Sequence, residues 1–309
     1  MRIVVMGAGG VGGYFGGMLA RAGQDVTFLA RGPHLAAMQA NGLTVESPAT
    51  PFQVRPVQAT ADPAAAGPAD IVLFAVKLYD MEAAAATLAP LVGPGTVVIP
   101  LQNGIDAAGV VGRAIGPRHV APGAAYIVAV IERPGVVRHN GMQARLVFGP
   151  ADPAQQAALA GFKDACDVAG LPATLAEDPR RAVWEKFLFL ASMSGLTALT
   201  RHAIGPVRTN PATRALLAES LAETAAVAAA VGVRLPADLP ERTLAFVDGL
   251  PEGARSSMLE DLDRGRRLEL PWLSGAVVRL GNANGVATPV HRAIAAALAL
   301  QADGMPAKG

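Results

Sequence analysis

The sequence predicts an α/β fold in its first part and an all-α fold in its second, and three observations predict it. The chain opens on a β-branched run, Met1-Arg2-Ile3-Val4-Val5-Met6, which enters a glycine-rich turn and then a small-residue segment, Gly13 to Ala22. Short apolar runs alternate with helical segments through the first half, as in a sheet flanked by helices. After Pro172 the character changes. Residues 180 to 302 follow a helical period, broken at Gly205-Pro206, Pro236 to Pro240, Gly249 to Gly253 and Gly281 to Gly285.

The first strand, turn and helix carry the first chemical signal. The turn reads Gly7-Ala8-Gly9-Gly10-Val11-Gly12, a Gly-x-Gly-x-x-Gly placed between a strand and a helix. That context gives the motif its weight as a dinucleotide fingerprint of the Rossmann type. Gly7 permits the tight turn, Gly9 lets the backbone approach a pyrophosphate, and Gly12 lets the helix pack close to the strand. The backbone of Gly9, Gly10 and Val11 opens the helix, whose positive end suits a diphosphate.

The second strand, Asp25 to Ala30, ends in Ala30-Arg31-Gly32. An NAD site usually carries Asp or Glu there for the ribose 2′-hydroxyl. No carboxylate stands here to repel a phosphate, and Arg31 offers a planar fork that suits one. The position therefore reads as an NADP(H) site. A solvated loop arginine is the plainer reading.

Two buried strands follow, Asp70 to Val76 and Thr96 to Pro100, with an alanine-rich helix from Met81 to Leu91 between them. Val120 to Ile131, Val136 to His139 and Ala144 to Phe148 read as later strands, joined by turns at Pro134-Gly135 and Asn140-Gly141. The boundary falls near Leu171–Pro179. Residues 1–175 form the Rossmann-type domain and 176–309 the helical domain, an arrangement that puts a site in the cleft between them.

Composition narrows the class. The chain has 309 residues, 51% hydrophobic and 17% charged, with net charge +1, which fits a soluble protein and gives no footprint for nucleic acid. Its single cysteine, Cys166, excludes an intrachain disulfide framework and fits a reducing, cytoplasmic setting. The histidines, at 34, 119, 139, 202 and 291, show no metal-ligand spacing, so no metal site is expected. The apolar start reads as a strand, not a signal peptide. The apolar stretches Arg181–Thr200 and Ala215–Val233 carry Glu185 and Lys186, or Glu219 and Glu223, and do not read as membrane spans. An alanine-rich helical domain suits pairing with a second copy, so a homodimer is compatible with the sequence.

Of 26 basic residues only Lys77, Lys163, Lys186 and Lys308 are lysines. Lysine, unlike arginine, can be tuned to exchange a proton. Lys186 lies in Trp184-Glu185-Lys186-Phe187-Leu188-Phe189-Leu190-Ala191, a helix apolar on nearly every face. Either it is buried, with its pKa drawn down toward a useful general acid, or its head snorkels to water. Lys77 and Asn103-Gly104 each follow a strand end, where open parallel sheets bind ligands. A solvated lysine and an Asn-Gly turn are the plain alternatives. Glu269, in Leu268-Glu269-Leu270-Pro271, suits a helix start, and Ser256 or Ser257 suits a helix N-cap before Met258.

Together these segments resemble the ketopantoate reductase (2-dehydropantoate 2-reductase) family over nearly the whole chain. The resemblance runs from Gly7–Gly12 and Arg31-Gly32 through Lys77, Gln102-Asn103-Gly104 and Pro134-Gly135-Val136-Val137-Arg138-His139. It continues in Trp184-Glu185-Lys186-Phe187 and in Ser256-Ser257-Met258-Leu259, with Glu269 twelve residues after Ser257. It implies reduction of 2-dehydropantoate to (R)-pantoate by NADPH, a step toward pantothenate and coenzyme A. By resemblance Lys186 is the general acid, Asn103 orients it and the nicotinamide region, Ser257 binds the substrate carboxylate, Glu269 accepts from the distal hydroxyl, and Lys77 lies near the cofactor.

The chain departs from the family at one place. Where well-known members continue Lys-x-x-x-Asn-x-x-x-Asn, this helix has Leu190 and Ser194. Leucine cannot hydrogen-bond, and Ser194 is a shorter substrate ligand than asparagine. The missing contacts come from elsewhere, for example Thr197 or Ser192, or the substrate is more apolar. Two other readings therefore stand beside the first: an NADP-dependent 2-hydroxyacid dehydrogenase for another branched or aromatic 2-oxo acid, and an NADP(H)-binding sensor without turnover.

Overall fold

A computed structural model describes residues 1–142 and 144–304; Lys308 lies outside the described residues. The chain divides into two compact units, one of residues 1–102 and 106–182, the other of 103–105 and 183 onward. The sequence reading puts one boundary at 175/176. The division lies a little later, within the first turns of a long helix, and it counts Asn103–Ile105 with the second unit.

In chain order the first unit begins with β1 (Arg2–Met6), α1 (Gly10–Arg21), β2 (Asp25–Leu29), α2 (Gly32–Asn41), β3 (Leu43–Glu46) and β4 (Phe52–Val54). Next come β5 (Gln58–Thr60), α3 (Pro63–Ala66), β6 (Ala69–Phe74), α4 (Met81–Ala85), β7 (Val92–Pro100) and α5 (Ala107–Ile115). It closes with β8 (Gly123–Tyr126), β9 (Ala129–Arg133), β10 (Val136–His139), β11 (Arg145–Phe148), α6 (Gln156–Val168) and β12 (Ala173–Leu175).

The main sheet is parallel, in the order β5-β2-β1-β6-β7. Its central strands are buried almost end to end, as strands covered on both faces must be. From β1 the chain winds outward to β2 and β5, then returns to the other side of β1 with β6 and β7. The order thus reverses between β1 and β6, the switch point beyond which ligands bind in open α/β sheets. The Rossmann-type first domain and helical second domain of the sequence reading are both present. A second sheet, β4-β3-β10-β9, lies near α1, and a third is ordered β12-β11-β8.

Three local expectations fail. The helix expected over Met81–Leu91 stops at Ala85, because Thr87 turns its hydroxyl onto the Ala84 carbonyl and Pro90 opens a separate 3₁₀ turn. The strand expected over Val120–Ile131 is two strands, β8 and β9, paired in different sheets. For the same reason Asn140-Gly141 is not a hairpin turn: β10 and β11 belong to different sheets, and the segment carries the chain between them. Pro134-Gly135 does join an antiparallel pair, β9 and β10, with Gly135 at φ +78°.

The second unit is built on α7 (Pro179–Thr200), followed by α8 (Ile204–Thr209), α9 (Pro211–Ala230), α10 (Leu239–Asp248), α11 (Ser257–Asp263), α12 (Ser274–Ala283) and α13 (Pro289–Ala297). Trp184, Phe187, Ala191 and Leu196 of α7 enter a core shared with Leu217, Val227, Leu262, Leu273 and Ile294. Asn210 caps α9 through Ala212 and Thr213, and an Arg214–Asp248 fork ties α9 to α10. The Glu223 carboxylate accepts the Val290 and His291 amides at 2.8 and 3.0 Å, so α9 caps the start of α13. None of the described helices is long and apolar enough to cross a membrane, and no metal-ligating cluster occurs among the described residues.

Candidate active site

The glycine turn separates glycines that the protein needs from one it does not. A Cβ on Gly7, at φ +98°, would lie 2.9 Å from the Val76 nitrogen; one on Gly12 would fall 2.2 Å from the Gly7 oxygen. Gly10 faces the backbone of β9, where a Cβ would stand 2.1 Å from the Ala129 oxygen. These three are required by packing. A Cβ on Gly9 would meet nothing within 4 Å, so its bareness answers to no neighbour in the protein. It faces open space at the start of α1, whose first amides have no side-chain cap. The Gly7 and Ala8 amides are already spent on the Leu29 carbonyl, both at 3.2 Å. The amides of Gly9, Gly10 and Val11 are those left to meet an anion, and a dinucleotide diphosphate fits that cradle.

Arg31 is the exposed N-cap residue of α2, in extended conformation, and Gly32 follows at φ +55°. One turn on, His34 is buried. The Gly135 amide donates to its Nδ1 at 3.1 Å, so the ring proton sits on Nε2, and burial lowers its pKa, keeping the ring neutral. Lys77 is exposed, capping a 3₁₀ turn just beyond β6. Gln102 is the part sequence reasoning left without a role. Its side-chain amide donates to the Phe74 and Val76 carbonyls at 2.9 and 3.1 Å, tying the end of β6 to the residue directly before Asn103.

The second unit gathers the proposed proton chemistry. Lys186 is partly buried on α7 and donates from Nζ to Asn103 Oδ1 at 2.9 Å. Burial draws its ammonium down to about 8, against the opposing pull of the nearby Glu269 carboxylate. Glu269 is 6% exposed and stands at the start of a 3₁₀ turn whose second residue is Pro271. Three sequence-selected residues, Asn103, Lys186 and Glu269, are therefore neighbours here. An ammonium with a pKa near neutrality, held by an amide oxygen and beside a carboxylate, is chemically able to give up a proton.

Around them the helix face is mixed. Lys186, Leu190, Ser194 and Thr197 fall on one side of α7 by helical spacing. Leu190 keeps partial exposure, whereas Ser194 is only 3% exposed. Ser192 and Thr197 are fully covered, so neither replaces the missing asparagine contacts by reaching a ligand in this conformation. Of the two serines before Met258, Ser256 is the N-cap of α11, accepting the Leu259 amide at 3.1 Å, and Ser257 is exposed at its first residue.

Comparison with known proteins follows the same two segments. The family model described as ketopantoate reductase PanE/ApbA matches residues 3–153, and its C-terminal counterpart matches residues 178–302. The chain belongs to the ketopantoate reductase family. Within it, a 2-dehydropantoate 2-reductase of Halobacterium salinarum is 35% identical over 98% of this chain and 100% of its own length. One from Mesorhizobium japonicum is 31% identical over 96% of each. A crystal structure of a PanE/ApbA family ketopantoate reductase from Ralstonia eutropha superposes with a TM-score of 0.88 at 35% identity, covering 98% of both chains. A D-mandelate dehydrogenase structure shares the fold at a TM-score of 0.88 and 22% identity. Membership makes the chain an oxidoreductase of a CH–OH group, with a nicotinamide dinucleotide as cofactor and a small keto acid as substrate.

Proposed function

We propose that the protein reduces 2-dehydropantoate to (R)-pantoate with NADPH. The observation that carries the reading is the bond from Lys186 Nζ to Asn103 Oδ1 at 2.9 Å, beside Glu269, on a lysine brought down to about 8. The names of the full-length relatives support the same reaction.

The residues divide the work. The amides of Gly9, Gly10 and Val11 would hold the diphosphate, Arg31 the ribose 2′-phosphate, and Lys77 would lie along the cofactor. NADPH, when bound, supplies the hydride. The Lys186 ammonium would meet the ketone oxygen, stabilise negative charge growing there, and pass its proton to that oxygen. Asn103 accepts one of the ammonium's three protons and so fixes the direction of the others. Glu269 would accept a hydrogen bond from the substrate's distal hydroxyl. Ser257, exposed at the start of α11, would bind the carboxylate, and Ser194 would stand behind it on α7.

The chain's near-neutral charge and the absence of a membrane-length helix among the described residues agree with a small-molecule enzyme of the cytoplasm. A homodimer through the helical unit remains part of the proposal. One observation favours a second substrate. Leu190, one turn beyond Lys186 and partly exposed, would suit a 2-oxo acid with an apolar side chain. The test is NADPH oxidation with a panel of 2-oxo acids, 2-dehydropantoate and 2-oxoisovalerate among them. Turnover with 2-dehydropantoate at the highest kcat/KM supports the first reading. Activity confined to unhydroxylated acids supports the second. An absence of turnover with every acid would leave only a sensor role.

A further inference from the structure

Thr197 lies eleven residues beyond Lys186 on α7, within about 20° of the same face. It is fully buried, yet its hydroxyl makes two short contacts, 2.7 Å to the Met193 carbonyl and 2.7 Å to Ser256 Oγ. Ser256 Oγ in turn lies 3.1 Å from the Leu259 amide. Only one arrangement of protons satisfies all of these contacts. The Leu259 N–H must donate to Ser256 Oγ. The Ser256 proton then goes to Thr197 Oγ1, and the Thr197 proton goes to the Met193 carbonyl. Each donor has an acceptor and the chain of bonds runs one way, which lets each bond polarise the next.

The link matters because it adds a directional polar tie to the start of α11, whose Met258, Leu259 and Leu262 are held by apolar burial, which sets no orientation of its own. The helix is seven residues long, and one that short depends on its cap. The Arg255–Asp263 ion pair that spans it is exposed on both sides, where such pairs contribute little. Its first residue is Ser257.

We propose that Thr197 is a positioning residue for substrate binding. It holds the Ser256 cap, and so sets where Ser257 stands relative to Lys186 without touching substrate itself. The inference rests on the reading that Lys186 and Ser257 act on one 2-oxo acid. It also gives the buried Thr197 hydroxyl a purpose.

The test compares wild type with Thr197→Val, Thr197→Ser and Ser256→Ala in steady-state reduction of 2-dehydropantoate. NADPH affinity is followed by fluorescence and Tm by thermal melting. Thr197→Val should raise the KM for the oxo acid about tenfold and leave NADPH affinity within about twofold, because a misplaced ligand weakens substrate binding selectively. Thr197→Ser restores the hydroxyl and should bring KM back to near wild type. Ser256→Ala keeps the Thr197–Met193 bond but breaks the link, and should reproduce the KM rise. It carries the test alone if Thr197→Val does not fold. A lowered Tm with an unchanged KM in either variant would overturn the positioning role. A wild-type enzyme inert toward every 2-oxo acid would instead bring down the underlying reading, and this proposal with it.

Discussion

Lys186 and Asn103 stand 83 positions apart in the chain and are joined by a 2.9 Å hydrogen bond. The bond restricts where an otherwise mobile ammonium can point. Lys186→Ala should lower kcat by about 10²–10⁴-fold, since it removes both the proton donor and the charge at the oxyanion. Lys186→Arg should not restore it, because guanidinium holds its proton at neutral pH. Asn103→Ala should cost about 1.5–3 kcal/mol of transition-state stabilisation, the value of a hydrogen bond to a charged group. Single-turnover kinetics with saturating NADPH would separate these losses from weaker cofactor binding, and full activity in Lys186→Ala would refute the mechanism.

The pH profile follows from the same lysine. Its folded pKa is about 8, below its ordinary 10.5. The acid form is therefore present below about 8 and lost above it. Reduction should be level at lower pH and fall tenfold per unit above the break, while the reverse oxidation rises through it. Stability takes the opposite sign. Between about 8 and 10.5 the unfolded chain holds a proton that the folded chain has released, so this group's contribution to stability rises with pH across that window. Glu269→Gln removes the charge that supports the ammonium and should move the kinetic break to lower pH. A break that stays at its wild-type position would exclude Glu269 from this role.

Arg31→Ala should raise the KM for NADPH by about 10- to 150-fold, or about 1.5–3 kcal/mol, and leave NADH nearly unchanged. The side chain is exposed at the start of α2, so its removal should not perturb the core. Paired titrations with the two cofactors decide it, since equal losses would remove the phosphate role.

Glu269→Ala and the Leu190→Asn, Ser194→Asn pair probe the substrate from two sides. Measured below the kinetic break of each enzyme, Glu269→Ala should raise the KM for 2-dehydropantoate by about 1.5–3 kcal/mol. It should matter little for 2-oxoisovalerate, which lacks the hydroxyl. If the wild type prefers an apolar acid, the double asparagine variant should shift kcat/KM toward 2-dehydropantoate. A wild-type enzyme inert with 2-dehydropantoate but active on the apolar acid would reverse the proposed assignment.

Much of the fold was legible because its signals are local. The β1 run, the Gly7–Gly12 turn and the helical periods after residue 180 each declare themselves within a few residues. One failure is local, the early end of α4 at Ala85, where Thr87 and Pro90 break the helix; the other two are tertiary. Nothing local shows that Val120–Ile131 is divided between two sheets, or that Asn140-Gly141 crosses between them. The site divides in the same way. Lys186 stood out as a lysine on an apolar helix and Arg31 as a departure from an acidic position. The roles of Gln102 and Thr197 depend on partners 26 and 59 positions away, and no spacing rule points to them. Gly10 shows the converse: it sits inside a ligand motif, yet the backbone of β9 alone would demand glycine there.

Asn103 counts with the second unit although the residues on either side of Asn103–Ile105 count with the first. The helical unit is therefore not a detachable module. A fragment starting at residue 176 would retain Lys186, Ser257 and Glu269 but lack the side chain that aims the lysine, and the lysine would lose its 2.9 Å hydrogen bond to Asn103. Shuffling one half of this chain onto a relative's other half would swap that side chain's donor too. A chimera would inherit Lys186 from one parent and the lysine's orientation from the other.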